Sequence, residues 1–209
     1  MSLTDKLNWR YATKKFDSTK KIAADKLSTL LDAIQLSPSS YGLQHYRVIV
    51  VENAEVREKL KAAAYNQVQL TDASHVIVFA AETNINEEFV HEYIDHVAET
   101  RGVPRESLKG FEDVVVGSVN GRTPEQLLTW AQKQAYIALG ILLSAASELE
   151  IDNCPMEGFD AAKFDEILGL KEKGLTATVI ATVGYRASDD PYAGLVKVRR
   201  PKEELFIHI

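Results

Sequence analysis

The chain has 209 residues and 45% hydrophobic content, enough for one sizeable core and short of two. Its net charge of −6 argues against a nucleic-acid binder, and its single cysteine, Cys154, excludes an internal disulfide. No apolar run reaches the roughly 18–20 residues of a membrane span, and the opening MSLTDKLNWR carries no apolar leader, so a cytoplasmic protein is expected.

In chain order, the first clear periodicity is Leu27, Leu30, Leu31 and Ile34, which predicts a helix over 25–36 ended by Pro38. Tyr46–Val51 reads as a strand and 54–64 as a helix. The unbroken apolar run His75–Ala81 predicts a strand buried on both faces. Residues 85–99 and 104–116 read as polar helices. Thr123 and Gln126 make a capping box with Pro124 at the first helical position, starting a helix that runs to about Leu149. Its middle, Ala135–Ala146, is apolar almost all round, so every side needs cover, and a subunit interface would cover the extra face. Asp160 caps a short helix to Leu168. Thr176–Val183 and Leu205–Ile209 read as strands, the last one free to pair outside its own subunit. With no linker, repeat or regular βα alternation, residues 1–209 read as a single α+β domain.

Charge is unevenly spread. Residues 1–21 carry +4 and residues 186–202 carry +3, leaving −13 for the rest. Charge alone leaves two readings open: solvated ends, or two basic ends converging on one anionic ligand. There is no GxGxxG, no P-loop and no GxSxG elbow. His91 and Asp95 share a helix face, but a zinc-protease helix needs His at both positions. A mixed-charge surface helix and no metal site are expected. Cys154, next to Pro155 and far from any His in sequence, reads as a small buried residue.

Five blocks, in order, carry a resemblance: Arg10-Tyr11-Ala12-Thr13-Lys14 with Lys15-Phe16-Asp17; Ser37-Pro38-Ser39-Ser40-Tyr41-Gly42-Leu43-Gln44; Asn66-Gln67-Val68-Gln69 with Asp72-Ala73-Ser74-His75; Cys154-Pro155-Met156-Glu157-Gly158-Phe159-Asp160; and Lys197-Val198-Arg199-Arg200-Pro201. Together they span nearly the whole chain and resemble the nitroreductase family, in particular its oxygen-insensitive NAD(P)H nitroreductase, or dihydropteridine reductase, type.

The resemblance implies a mostly antiparallel central sheet flanked by helices, with the long buried helix at a homodimer interface. It implies bound FMN, with NAD(P)H as electron donor. Arg10, Lys197 and Arg199 would hold the FMN phosphate, within a first block that also includes Tyr11 and Ala12. Lys14 would stand by the flavin's pyrimidine edge, where an ammonium favours the negatively charged reduced ring. Asn66 would satisfy the ring's N3–O4 edge, with Gln69 one turn on. Pro155 and Met156 would lie against the ring, and the backbone of Glu157 and Gly158 would reach N5. Pro38, Ser39 and Ser40 would contact the flavin from the partner subunit. Lys14 and Glu157 are thus the candidate catalytic residues. Ala12, Gly42 and Gln69 depart from the family pattern. The implied activity is a ping-pong, two-electron reduction of nitroaromatics, quinones or free flavins through flavin N5, with residues 99–121 shaping the slot. Two alternatives stand beside it: a flavin or dihydropteridine reductase with incidental nitro activity, and a non-catalytic FMN carrier or sensor.

Overall fold

The computed structural model describes residues 2–209. Helices α1 (Leu3–Trp9) and α2 (Ala24–Gln35) precede strand β1 (Tyr46–Val51). Helices α3 (Ala54–Ala63) and α4 (Gln69–Asp72) lead into β2 (His75–Glu82). Then come α5 (Glu87–Arg101), α6 (Lys109–Asn120) and the long α7 (Pro124–Glu148). The chain continues through β3 (Asp152–Met156), α8 (Ala161–Leu168) and β4 (Leu175–Gly184), and α9 (Lys202–Leu205) lies in the tail.

The four strands form one antiparallel sheet in the order β1-β2-β4-β3. Every residue of β2 is buried, and the strand's period of two explains why. Val76, Val78 and Ala80 join one apolar layer with Leu60 of α3 and Phe164 of α8. Ile77 and Phe79 join the opposite layer with Leu30 and Ile34 of α2 and Ala135, Ala138 and Leu142 of α7. The β2–β4 register skips Thr178, since Phe79 faces Val179 and Ala80 faces Ala177. This bulge keeps Ala177 and Ile180 in the first layer and Val179 and Ala181 in the second. A third cluster, with Ile94, Val115 and Ala131, packs α5 and α6 over the start of α7.

The caps fall where the sequence puts them. Thr123 and Gln126 exchange both hydrogen bonds of a capping box, and Asp160 accepts from the Lys163 N–H at 3.2 Å. Two expectations need correction. The helix expected over 104–116 starts at Lys109, after a 3-10 turn at Arg105–Leu108, and runs on to Asn120. Leu205–Ile209 does not form a strand: Leu205 ends α9, and Phe206–Ile209 lie outside any sheet, exposed. In the single chain the expected extra face of α7 lies open, with Tyr136 and Ile137 40% and 42% exposed. Four elements were not expected, α1, α4, β3 and α9. Among the described residues, no helix is long and apolar enough to cross a membrane.

Candidate active site

The site is assembled by a knot that joins the two ends of the chain to strand β3. The segment after α1 lies along the outer edge of β3: Ala12 bridges Asn153 in parallel, and the Thr13 N–H donates to Asn153 O at 3.1 Å. Asp190, only 5% exposed, ties this segment to the C-terminal stretch. Its carboxylate accepts from Tyr11 Oη (2.8 Å), Lys14 N (2.9 Å), Lys15 N (3.0 Å) and Tyr192 N (2.9 Å). Burial acts to raise the Asp190 carboxyl, but these donors outweigh it and hold it below its ordinary range. The Tyr11 phenol moves the other way, raised by burial and by its bond to Asp190. A second tie is Arg186, whose Nε reaches Asp152 Oδ1 at 2.6 Å while its guanidinium stacks on Trp9 (4.3 Å) and Tyr11 (4.6 Å).

This knot gathers cations. Burial lowers the pKa of Arg10, and Arg199 lowers it further. Burial also lowers Lys197, with Arg10, Arg199 and Arg186 adding to the effect. Lowering by neighbouring cations means like charges held within Coulomb range. Among the described residues, none of Arg10, Lys14, Lys197 and Arg199 is paired with a carboxylate. Arg10 instead reaches Asn153 Oδ1 at 3.4 Å, and Lys197 donates to Asn8 O. Cys154, on β3 between them, is 1% exposed. Burial pushes its thiol up, against the pull of the Lys14 and Arg10 charges. The cysteine is therefore a buried small residue and no nucleophile.

The far end of β3 is apolar. Tyr136, Leu139, Leu143, Pro155, Met156 and Val179 line a cleft of about 390 Å³. The turn beyond it is stitched down from both sides. Gln67 Nε2 donates to Gly158 O at 2.7 Å, the Asp160 N–H donates to Ala63 O at 2.9 Å, and Tyr136 Oη donates to Glu157 Oε1 at 2.5 Å. Among the described residues, no protein acceptor takes the N–H of Glu157 or Gly158. Just across the Gln67 contact, Tyr65 and Asn66 both adopt left-handed backbone (φ 54° and 60°), which turns the chain sharply between α3 and α4. Asn66 is exposed there, and Gln69 is buried at the first position of α4.

The sequence profile of the Nitroreductase family matches residues 7–185. The chain belongs to the nitroreductase family. Members are FMN-dependent oxidoreductases that use NAD(P)H, and the chain is an enzyme of this type. A Staphylococcus saprophyticus protein is 35% identical, covering 98% of this chain and 95% of the relative. The oxygen-insensitive NAD(P)H nitroreductase of Salmonella typhimurium is 33% identical, covering 96% of each chain. A protein of Exiguobacterium sibiricum, solved in complex with FMN, superposes with a TM-score of 0.85 at 19% identity, covering 100% of this chain and 98% of that one.

Within this nitroreductase-family chain, the expected site residues fall into two groups. Arg10, Tyr11, Ala12, Lys14, Pro155, Met156, Glu157, Gly158, Lys197 and Arg199 gather around β3, and Gln67 joins the Asn66–Gln69 segment to them. Pro38, Ser39 and Ser40 do not join them. Ser39 Oγ accepts from Gln44 N and the Ser40 N–H donates to Gln134 Oε1, both at 2.9 Å, which places this loop against α7. The sequence reading missed Asp190, Gln67, Asn153 and Tyr136. A signal existed for two of them. Asp189-Asp190 is the one acidic pair in the basic stretch 186–202, and Tyr136 puts a hydroxyl into an apolar run.

Proposed function

We propose that this chain is an FMN-dependent NAD(P)H oxidoreductase that reduces nitroaromatics, quinones or free flavins in a ping-pong cycle, as a homodimer with residues 1–209 acting as one domain. The observation that carries this reading is the unpaired cation cluster at one end of β3 with an apolar cleft and two unspent N–H groups at the other. A dianionic phosphate fits the first, and a flat, partly polar ring fits the second. FMN, when bound, supplies the two-electron chemistry at N5. Arg10, Lys197 and Arg199 hold its phosphate. Lys14 places a positive charge near the ring's pyrimidine edge. Pro155 and Met156 present an apolar surface to the ring, and Asn66 offers the paired donor and acceptor of its amide. The absence of a Rossmann motif is compatible with this arrangement, because nicotinamide needs only an open slot beside the ring.

The dimer is supported by what one chain leaves uncovered. Tyr136, Ile137 and Gly140 form an exposed stripe on α7, and the tail exposes Phe206 (56%) and Ile207 (84%). A second copy covering this stripe also brings its own Pro38–Ser40 loop, which packs on α7, toward the site. The test is an anaerobic absorbance titration of the purified protein with NADPH and then NADH. Stoichiometric bleaching of a yellow protein is expected. A yellow protein that does not bleach sinks the oxidoreductase reading in favour of a carrier, and a colourless protein that takes up no FMN sinks the flavin site itself.

A further inference from the structure

The turn after β3 is clamped more firmly than a loop needs. From α7, Tyr136 Oη donates to Glu157 Oε1 at 2.5 Å. From the other side, Gln67 Nε2 reaches both Gly158 O (2.7 Å) and Ala64 O (3.1 Å), so the turn is tied to the end of α3. A Cβ on Gly158 would stand in van der Waals contact with that same amide nitrogen, at 3.4 Å. Between the two clamps lie the Glu157 and Gly158 N–H groups, which no protein acceptor takes among the described residues.

Tyr136 could serve simply as one wall of the apolar cleft, but then its hydroxyl would face water. Instead it makes a charge-assisted bond to a carboxylate, the stronger class of hydrogen bond. Burial and that bond push the phenol up to about 12, so it stays a donor throughout the neutral range. We propose that Tyr136 is a positioning residue, which with Gln67 fixes the Glu157–Gly158 turn so that its free N–H groups are held toward the redox-active edge of the cofactor ring. This rests on the reading that FMN lies along β3.

A fixed N–H distinguishes the two redox states of the ring. Oxidised flavin offers a lone pair at N5, whereas reduced flavin carries a hydrogen there. A donor locked in place therefore favours the oxidised form, and a loosened turn loses that preference. In the Tyr136→Phe variant, the affinity for oxidised FMN should fall about tenfold relative to reduced FMN. That ratio is a rise of about 30 mV in the two-electron potential of the bound cofactor. Gln67→Leu should move it in the same direction.

The experiment is dye-equilibration potentiometry of the flavin-loaded wild type and the two variants. FMN-over-riboflavin preference, measured alongside, should be unchanged, because it reports the phosphate cations and not the turn. Potentials within about 9 mV of wild type, a twofold affinity ratio, in both Tyr136→Phe and Gln67→Leu overturn the proposal. A wild-type protein that binds no FMN removes the underlying reading as well, and is told apart at the first step.

Discussion

Single residues carry two opposed demands here, fold stability and ligand affinity, and Arg199 separates them. Its guanidinium reaches only the neighbouring Val198 carbonyl (2.7 Å) and lies within Coulomb range of Arg10 and Lys197. Arg199→Ala should leave the melting temperature of the flavin-free protein unchanged or slightly higher, because a repulsion is removed. It should weaken FMN binding about 10- to 100-fold, the worth of one charge-assisted bond of about 1.5–3 kcal/mol, and leave riboflavin binding unmoved. Fluorescence titration with both ligands checks this, and an equal loss for riboflavin would contradict the phosphate role. Asp190 has the reverse character. Its four hydrogen bonds hold both chain ends, so Asp190→Ala should cost about 3 kcal/mol or more in chemical denaturation. The cations were legible in the sequence as two basic ends, because charge survives without coordinates. Their anchor was not, because one acid among many gains meaning only when Tyr11, Lys14 and Lys15 arrive beside it. His45 gives a pH-dependent test. It is wholly buried and stacks on Trp130 at 4.1 Å, and burial pushes its imidazole down to about 4. The unfolded chain binds that proton near pH 6.5, so stability is complete above about 6.5 and falls as pH drops toward 4. The linked loss is about 3 kcal/mol, at roughly 2–4 °C per kcal/mol for a chain of this size. Melting curves of His45→Phe should lack most of this acid limb.

Elements were legible where their signals are local. Thr123, Pro124 and Gln126 announce the start of α7 within four residues, and the run His75–Ala81 announces a strand covered on both faces. Thr123→Ala should remove the cap that Gln126 N–H uses and cost about 1 kcal/mol, read as a melting shift of a few degrees. Strand β3 had no such signal. Asp152, Asn153 and Pro155 are poor strand formers, and the strand exists because β4 offers an open edge to Asp152–Met156. Asn153 O faces away from β4, toward Thr13, and Pro155 two residues on faces the same way, so its missing N–H costs no bond of the β3–β4 ladder. The element that organises the site was thus the one that tertiary pairing, and not local preference, created. Gly42 was read only as a departure from its family. The structure gives the reason for glycine there: φ is +79°, and an added Cβ would stand 2.5 Å from Tyr93 Oη.

For the whole molecule, the unanswered surface is the exposed stripe of α7 and the apolar tail. A lone chain with Ile137 at 42% exposure and Ile207 at 84% would leave apolar area in water on two elements at once. The sequence hinted at this through the all-round apolar middle of α7, but a single chain cannot show which second surface meets it. The Pro38–Ser40 loop makes the hint specific. It was expected to contact the flavin from the partner subunit, and in its own chain it shares no hydrogen bond with the β3 cluster but rests on Gln134 of α7. If the site is completed across a two-fold interface, assembly and cofactor retention must be linked, because the ligand then binds the dimer better than the monomer. Ile137→Glu puts a charge into the stripe without touching the phosphate cations. Sedimentation equilibrium should show wild type as a dimer and this variant shifted toward monomer. FMN affinity should fall with it, and recover as protein concentration drives the dimer back. Deleting Phe206–Ile209 should act in the same direction through the tail. A monomeric Ile137→Glu protein that holds FMN as tightly as wild type at every concentration would place the whole site within one chain, and leave the Pro38–Ser40 loop with no part in it.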